Sequence, residues 1–309
     1  MPADTPRIGI LTCSFAGDFP LCRTLAHSVE RFAGPEVLHR IVVPRRDLAL
    51  FGSLAGPRTE VIAQETLLPR GFLNLPRPPG AIRRFIPALR REIYLTPVGL
   101  VRGWIMQQIV KFAAAAAMPC DVVIHADSDT CLIRPLDPAA LVPGGRVRLY
   151  ALPGEGRLDT HLPWHAAAAE LLGLPPCDYF GADYIGSLIT WNPESVRALL
   201  ARLESVAGVP WTRALARRWQ FSEYILYGAY AGRSGLCPLP HAPSSRSLCH
   251  SSWGHDVHSP EGVARFVAAL EPHHLGADVQ STEGLDAPAR EAIFAALEAR
   301  AAAFQSGTR

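Results

Sequence analysis

The stretch Asp121-Val-Val-Ile-His-Ala-Asp127-Ser-Asp129-Thr-Cys131 decides how the chain is read, because an apolar run stops abruptly in two carboxylates one residue apart. Val122, Val123 and Ile124 are β-branched, the composition of a strand buried on both faces in a parallel sheet. Side chains alternate along a strand, so Asp127 and Asp129 point the same way at its carboxyl end if strand geometry persists. Open α/β sheets bind their ligands at that end. Two ionised carboxylates side by side repel unless a cation sits between them. A hard ion such as Mg²⁺ or Mn²⁺ takes few protein carboxylates and fills its other positions with water and substrate phosphates. The pattern therefore suggests a metal–diphosphate site. The plainer alternative is a turn in which both aspartates cap the following segment through local hydrogen bonds.

Working outward, the surroundings of that strand read as an α/β protein with a mostly parallel central sheet flanked by helices. Ile8–Cys13 is a buried strand, and Leu21, Leu25, Val29 and Phe32 recur after it at helical spacing. His39–Val43 is a second strand, which makes a βαβ unit, and Val61–Ala63 is a short third one. Gly103 opens a helix that leads directly into the Asp-x-Asp strand. Its apolar stripe is Ile105, Ile109, Phe112 and Ala116, with Trp104, Gln107, Gln108 and Lys111 on another face. Beyond it, Arg148–Leu152 and Asp183–Trp191 read as strands. Asn192-Pro193 starts a helix, Ser222 caps another over Glu223–Ala231, and residues 260–270 and 286–304 read as amphipathic helices. The chain is expected to be one domain over residues 1–309. Its nucleotide-binding part spans about 7–135, and its acceptor-side part with the C-terminal helices about 136–309.

Residues 67–102 differ in character. Six prolines break regular structure, while Arg83, Arg84, Arg90 and Arg91 alternate with Ile82, Phe85, Ile86, Leu89 and Ile93. The segment reads as an inserted flap carrying a short basic amphipathic helix over residues 82–93. Such a helix suits peripheral contact with an anionic membrane, or cover over a substrate, or simply the solvated face of a core-packed element.

Totals narrow the function classes. The net charge is +2 and there is no long basic block, which argues against nucleic acid as a partner. No run of eighteen apolar residues occurs, and the N-terminus lacks the tripartite pattern of a signal peptide. The seven cysteines are scattered without Cys-x-x-Cys pairs, as expected of reduced thiols in a cytoplasmic protein, peripheral to the inner membrane face if residues 82–93 touch lipid.

By the Asp-x-Asp strand the chain resembles nucleotide-sugar glycosyltransferases of the GT-A fold, the Rossmann-like nucleotide-diphospho-sugar transferase fold. Four segments resemble a bacterial family regarded as glycosyltransferases and catalogued as a domain of unknown function: Gly103-Trp-Ile-Met-Gln-Gln-Ile-Val-Lys111, His125-Ala-Asp-Ser-Asp-Thr130, Ser222-Glu-Tyr-Ile-Leu-Tyr-Gly228 and Cys249-His-Ser-Ser-Trp253. They occur in the right order across residues 7–281. The resemblance implies transfer of a sugar from a nucleoside diphosphate sugar to a glycan, lipid-linked or small-molecule acceptor, helped by Mn²⁺ or Mg²⁺. It makes Asp129 a direct metal ligand, has Asp127 touch the metal or the donor ribose, and brings Ser128 into the donor-binding set.

A third metal ligand from the C-terminal part is usual in such enzymes, and His250 is the choice here, with His255, His258, His273 and His274 competing. Zinc fits less well, since tetrahedral Cys/His spacing is absent. Lys111 and, less strongly, Arg102 are expected to meet the diphosphate charge. Thr12, Ser14 and Asp18 lie in the first strand–helix turn, where a doubly wound sheet binds its nucleotide, although Asp18 also suits a helix cap. Glu223, just after the capping Ser222, is the candidate base, in a position that the helix dipole favours for any glutamate. Asp183 is expected to bind sugar hydroxyls, with Gly186 letting a backbone approach closely. Tyr184 and Trp191 would stack on a sugar ring or pack in the core.

Three other functions compete. A haloacid-dehalogenase-type phosphatase carries Asp-x-Asp near its N-terminus, usually with Thr or Val where Cys131 stands. A nucleotidyltransferase shares the sheet and the metal but has a basic, Gly-rich first loop, whereas Ser14-Phe-Ala-Gly-Asp18 has no Lys or Arg. A catalytically silent relative would bind glycan or nucleotide only.

Overall fold

The computed structural model describes residues 6–75, 92–154 and 159–306. In chain order the strands are β1 (Ile8–Cys13), β2 (Leu38–Val43), β3 (Thr59–Ala63), β4 (Leu73–Asn74), β5 (Ile93–Thr96), β6 (Gly99–Arg102), β7 (Val122–His125), β8 (Thr130–Leu132), β9 (Val147–Tyr150), β10 (Leu152–Pro153), β11 (Ala182–Asp183), β12 (Ile189–Trp191), β13 (His241–Ser244), β14 (Cys249–Ser251) and β15 (Gly276–Asp278). The helices are α1 (Phe19–Phe32), α2 (Leu48–Phe51), α3 (Gly103–Ala116), α4 (Pro138–Leu141), α5 (Leu162–Leu171), α6 (Pro193–Ala207), α7 (Trp211–Ala216), α8 (Glu223–Ala231), α9 (Pro260–Ala268) and α10 (Ala287–Ser306).

The central sheet has the order β12-β7-β1-β2-β3, with β12 antiparallel to β7 and the other neighbours parallel. From β1 the chain winds outward through α1 to β2 and β3. It then returns through α3 to lay β7 on the opposite side of β1. This reversal is a topological switch point, which leaves a crevice above the carboxyl ends of β1 and β7. The sheet is thus α/β and mostly parallel, as the sequence predicts, with one antiparallel edge strand that the sequence pattern does not show.

Alternation along the strands explains the two-sided burial. Ile8, Ile10 and Ile124 pack with Leu25 and Val29 of α1, whereas Leu11, Val42 and Val123 face the cluster built by Ile105, Ile109 and Phe112 of α3. Each of those large side chains contributes roughly 1.5–3 kcal/mol by leaving water. That second cluster runs on through Leu199, Leu203, Ile225 and Tyr227, so α3, α6 and α8 share one core with the sheet. The helix after Asn192 starts as expected, with Asn192 accepting a 2.8 Å bond from the Ser195 amide and Pro193 in the first turn.

The expected strand over Asp183–Trp191 is instead two short strands, β11 and β12, separated by a loop. Leu188 within it has φ 54°, a left-handed conformation that no continuous strand allows. Residues 92–102 of the expected flap form the hairpin β5–β6, with β4 added at its edge. The basic helix predicted for 82–93 falls outside the described residues, apart from Glu92 and Ile93, where β5 begins. No described helix is long and apolar enough to cross a membrane.

Candidate functional site: an acidic cleft at the switch point

The ladder between β1 and β7 extends one residue past the strand, where the Ala126 amide donates to Leu11. The chain then leaves the sheet in a turn closed by the Thr130 amide on the Asp127 carbonyl, 3.0 Å. Strand geometry therefore does not persist to Asp129, yet Asp127, Ser128 and Asp129 all line one cleft of about 880 Å³. The partners of the two carboxylates come from far along the chain, unlike those of a locally capped turn. Lys111 Nζ lies 3.1 Å from Asp127 Oδ1, and the Ser281 amide donates to Asp129 Oδ2 at 2.8 Å. Between them the Ser128 hydroxyl donates to Ser14 Oγ at 2.9 Å, which ties the acidic turn to the end of β1.

Charge in the cleft is one-sided. Asp18, Glu92, Asp127 and Asp129 line it, and Arg102 is its one basic lining residue among those described. Glu92 pairs with Arg46, outside the lining. Burial, and next the charge of Asp127, raise the Asp129 carboxyl to about 6 in spite of the Ser281 amide. Burial and Asp127 also raise Asp18, whose side chain makes no cap bond at the start of α1. Asp18 thus occupies the N-cap position of α1 with its carboxylate turned to the cleft and not bonded to the helix amides.

Behind Asp127 sits a buried cation. Lys111 Nζ contacts Glu223 Oε1 at 3.0 Å and donates to Tyr224 Oη at 3.0 Å, in addition to Asp127. Three partners occupy the three protons of the ammonium. Burial opposes its charge, but Asp127, then Tyr224 and Glu223, outweigh burial and hold the Lys111 pKa well above its ordinary value. Neither Lys111 nor Glu223 lines the cleft. Both sit one layer behind the lining: Lys111 braces the acidic turn through Asp127, and Glu223 Oε1 is paired with Lys111. Ser222 caps α8 as expected, while the Glu223 amide donates to Gln108 Oε1 of α3.

Other predicted residues are placed elsewhere. Thr12 is fully buried between β1 and β2, sharing a 3.0 Å hydrogen bond with His39 Nε2. His250 does not reach the carboxylates. On β14 its neighbours Cys249 and Ser251 face Asp278, and alternation turns the His250 ring to the other side, stacked on Phe266 at 4.3 Å with Nε2 donating to the Phe266 carbonyl. His255 and His274 lie beside it, His273 packs on His274, and His258 pairs with Glu283. Among the described residues no group of three or more His, Cys, Asp or Glu is arranged to hold a metal. Asp183 holds His161 Nδ1 at 2.5 Å and the Ile185 amide at 2.9 Å. Trp191 is core, stacked between Phe112 and Tyr227. Tyr184 packs against Gly228, and Gly186 meets the Ile189 and Tyr150 side chains rather than open space for a ligand.

The sequence reading missed several residues. Asp278 of β15 is fully buried and collects Ser187, Ser251 and Gln280 at 2.7–2.9 Å, so it sets the wall from which Ser187, Gln280 and Ser281 face the cleft. Trp104 and Trp164 also line the cleft. Only Trp104 gave a signal, as the aromatic beside Gly103 on the polar face of its helix.

Fold and site together define a class: an open, mostly parallel α/β protein with a paired-aspartate cleft at its switch point. The chain belongs to the family of unknown function DUF6492, whose model matches residues 9–281. No curated protein matches it.

Proposed function

We propose that the chain is a metal-dependent glycosyltransferase of the GT-A type, which moves a sugar from a nucleoside diphosphate donor to a hydroxyl acceptor. The observation that carries this reading is the turn bearing Asp127 and Asp129 in an acidic cleft at the sheet's switch point. A diphosphate would be repelled by Asp18, Asp127 and Asp129 unless a cation came with it. The donor set is all oxygen, and burial together with the charge of Asp127 makes Asp129 costly to ionise without a cation, which fits Mg²⁺ or Mn²⁺. Asp127 and Asp129 would hold the ion. Once bound, it supplies positive charge against the leaving diphosphate.

The chain's own residues orient this site. Lys111 and Glu223 fix Asp127 from behind, Ser281 fixes Asp129, and the Ser14–Ser128 pair holds the turn against β1. Asp18 and Ser14 would meet the donor ribose or base, and Arg102, which also donates to the Trp219 carbonyl and lies over the Trp219 ring, is the one guanidinium among the described lining residues that would meet the diphosphate. The seven cysteines are all free, which goes with action in a reducing, cytoplasmic compartment.

Calorimetry with UDP and GDP tests the reading. Binding should appear with Mn²⁺, vanish with EDTA and be lost in Asp129→Asn. Metal-independent affinity that survives this substitution would refute it.

A further inference from the structure

The cleft has an aromatic end as well as an acidic one. Trp104, in the first turn of α3, is 40% exposed and Trp164 of α5 is partly buried. Their rings meet at 5.5 Å, tilted by 41°, on the cleft wall, with the Arg102 guanidinium 5.9 Å from the Trp104 ring. Exposed indole surface is costly in water and inside a cavity marks a place for a ligand. The geometry also fixes how that surface is presented. His161 stacks on Trp164 at 4.7 Å and 20°, and His161 is held in turn by Asp183 at 2.5 Å. A brace of two polar residues behind one indole is more than core packing requires, since Trp164 needs none to stay out of water.

Position selects the occupant. Asp18 follows β1, Val42 lies near the end of β2 and Pro44 just after it, and together they form the nucleotide side of the switch point. The two indoles come from the start of α3 and from α5, which follows β10, and so from neither of the segments that follow β1 and β2. On the reading of the cleft as a donor site, they belong to the part of the wall left for the acceptor. A pyranose ring offers an apolar face of C–H groups to an indole and hydroxyls around its edge. The side-chain amides of Gln107 and Gln220, also on the wall, suit those hydroxyls. At about 880 Å³ the cleft lies near the upper end of the roughly 300–1,000 Å³ of ligand clefts, room for a second ring beside a donor. We infer that Trp104 and Trp164 are the stacking surface for a saccharide ring of the acceptor, so that the acceptor is a glycan or glycoside rather than a simple alcohol. This inference rests on the glycosyltransferase reading for the word acceptor, but not for the saccharide site itself.

Saturation-transfer NMR with the methyl glycopyranosides of glucose, galactose, mannose and N-acetylglucosamine tests it, with uridine and guanosine as the nucleobase arm. Ring C–H signals of at least one glycoside should be saturated by the native protein. Trp104→Ala and Trp164→Ala should weaken that glycoside roughly threefold to tenfold, the scale of one aromatic face. Trp104→Phe and Trp164→Phe keep an aromatic surface and should retain more of the signal, which separates lost stacking from lost folding. No glycoside signal in the native protein, signals indifferent to both tryptophans, or Trp-dependent saturation of the nucleosides alone would overturn the inference. UDP and GDP calorimetry reads the donor site independently. Trp-dependent glycoside binding without metal-dependent nucleotide binding would keep the saccharide site and remove the transferase.

Discussion

Lys111 and Glu223, separated by more than a hundred residues in sequence, meet at 3.0 Å beneath the acidic turn, and that ion pair holds Asp127 from behind. Both side chains are nearly inaccessible, at 7% and 8% exposure. Breaking a buried pair by removing one partner typically costs about 3–5 kcal/mol, because the other charge stays buried. Lys111→Met is therefore expected to lower the unfolding free energy obtained from urea titration by that order. Lys111→Met combined with Glu223→Gln should recover a large part of it. A double variant no more stable than the single one would show that the pair is not coupled.

Glu223→Gln alone separates bracing from base catalysis. A positioned general base is worth about 100- to 10,000-fold in kcat. Since the Glu223 side chain does not line the cleft, the expected loss of turnover is roughly tenfold or less, with donor affinity nearly intact. Steady-state kinetics, once screening of nucleotide sugars for slow hydrolysis has identified the donor, decide between the two.

Acid should destabilise the protein through buried neutral histidines. Burial lowers His39 from an ordinary 6.5 to about 4. Between those values the unfolded chain binds a proton that the folded protein refuses, so stability falls as the pH drops from about 6.5 towards 4 and the loss is complete below that. For His39 alone this amounts to roughly 3 kcal/mol. Urea unfolding at pH 7.5 and pH 5 should show the decline, and His39→Gln should lessen it by the share of His39, with His125 and His274 contributing the same way. A midpoint that does not change over that range would rule out a buried neutral His39.

Gly228 is expected to tolerate no side chain. Alanine normally favours a helix over glycine by about 1 kcal/mol. Here, however, a Cβ would lie 2.1 Å from Tyr184 Cγ, and overpacking of that kind costs about 1–3 kcal/mol or more. The clash should win, and thermal melting of Gly228→Ala should show net destabilisation. A stabilised variant would mean that Tyr184 moves aside freely.

These residues show what a sequence can and cannot carry. The strands β1, β2 and β7 were legible because their apolar runs are local, and Asp127 and Asp129 because a strand that ends in charge is a local event as well. Side-chain position within the site was not, since it depends on contacts between distant segments. Nothing near Lys111 in sequence says that Glu223 and Tyr224 will occupy its protons, and nothing near Trp164 says that Asp183 will anchor the histidine stacked on it. His250 was misjudged for a simpler reason. Alternation on β14 gives Asp278 the Cys249 and Ser251 side, and which side faces the cleft is set by pairing with β15. Trp191 and Tyr184 looked available only while Asp183–Trp191 was read as one strand. The left-handed turn at Leu188 and the core around Phe112 remove them.

The Ser281 amide that clasps Asp129 lies three residues beyond a strand, β15, which pairs with β8 only when the last third of the chain arrives. A chain emerging from the ribosome as far as residue 260 already holds all five strands of the central sheet, but neither that clasp nor the Asp278 wall. Sheet and site are therefore completed at different moments of synthesis, and the carboxylate pair takes its final shape only when the chain's late segments close over it.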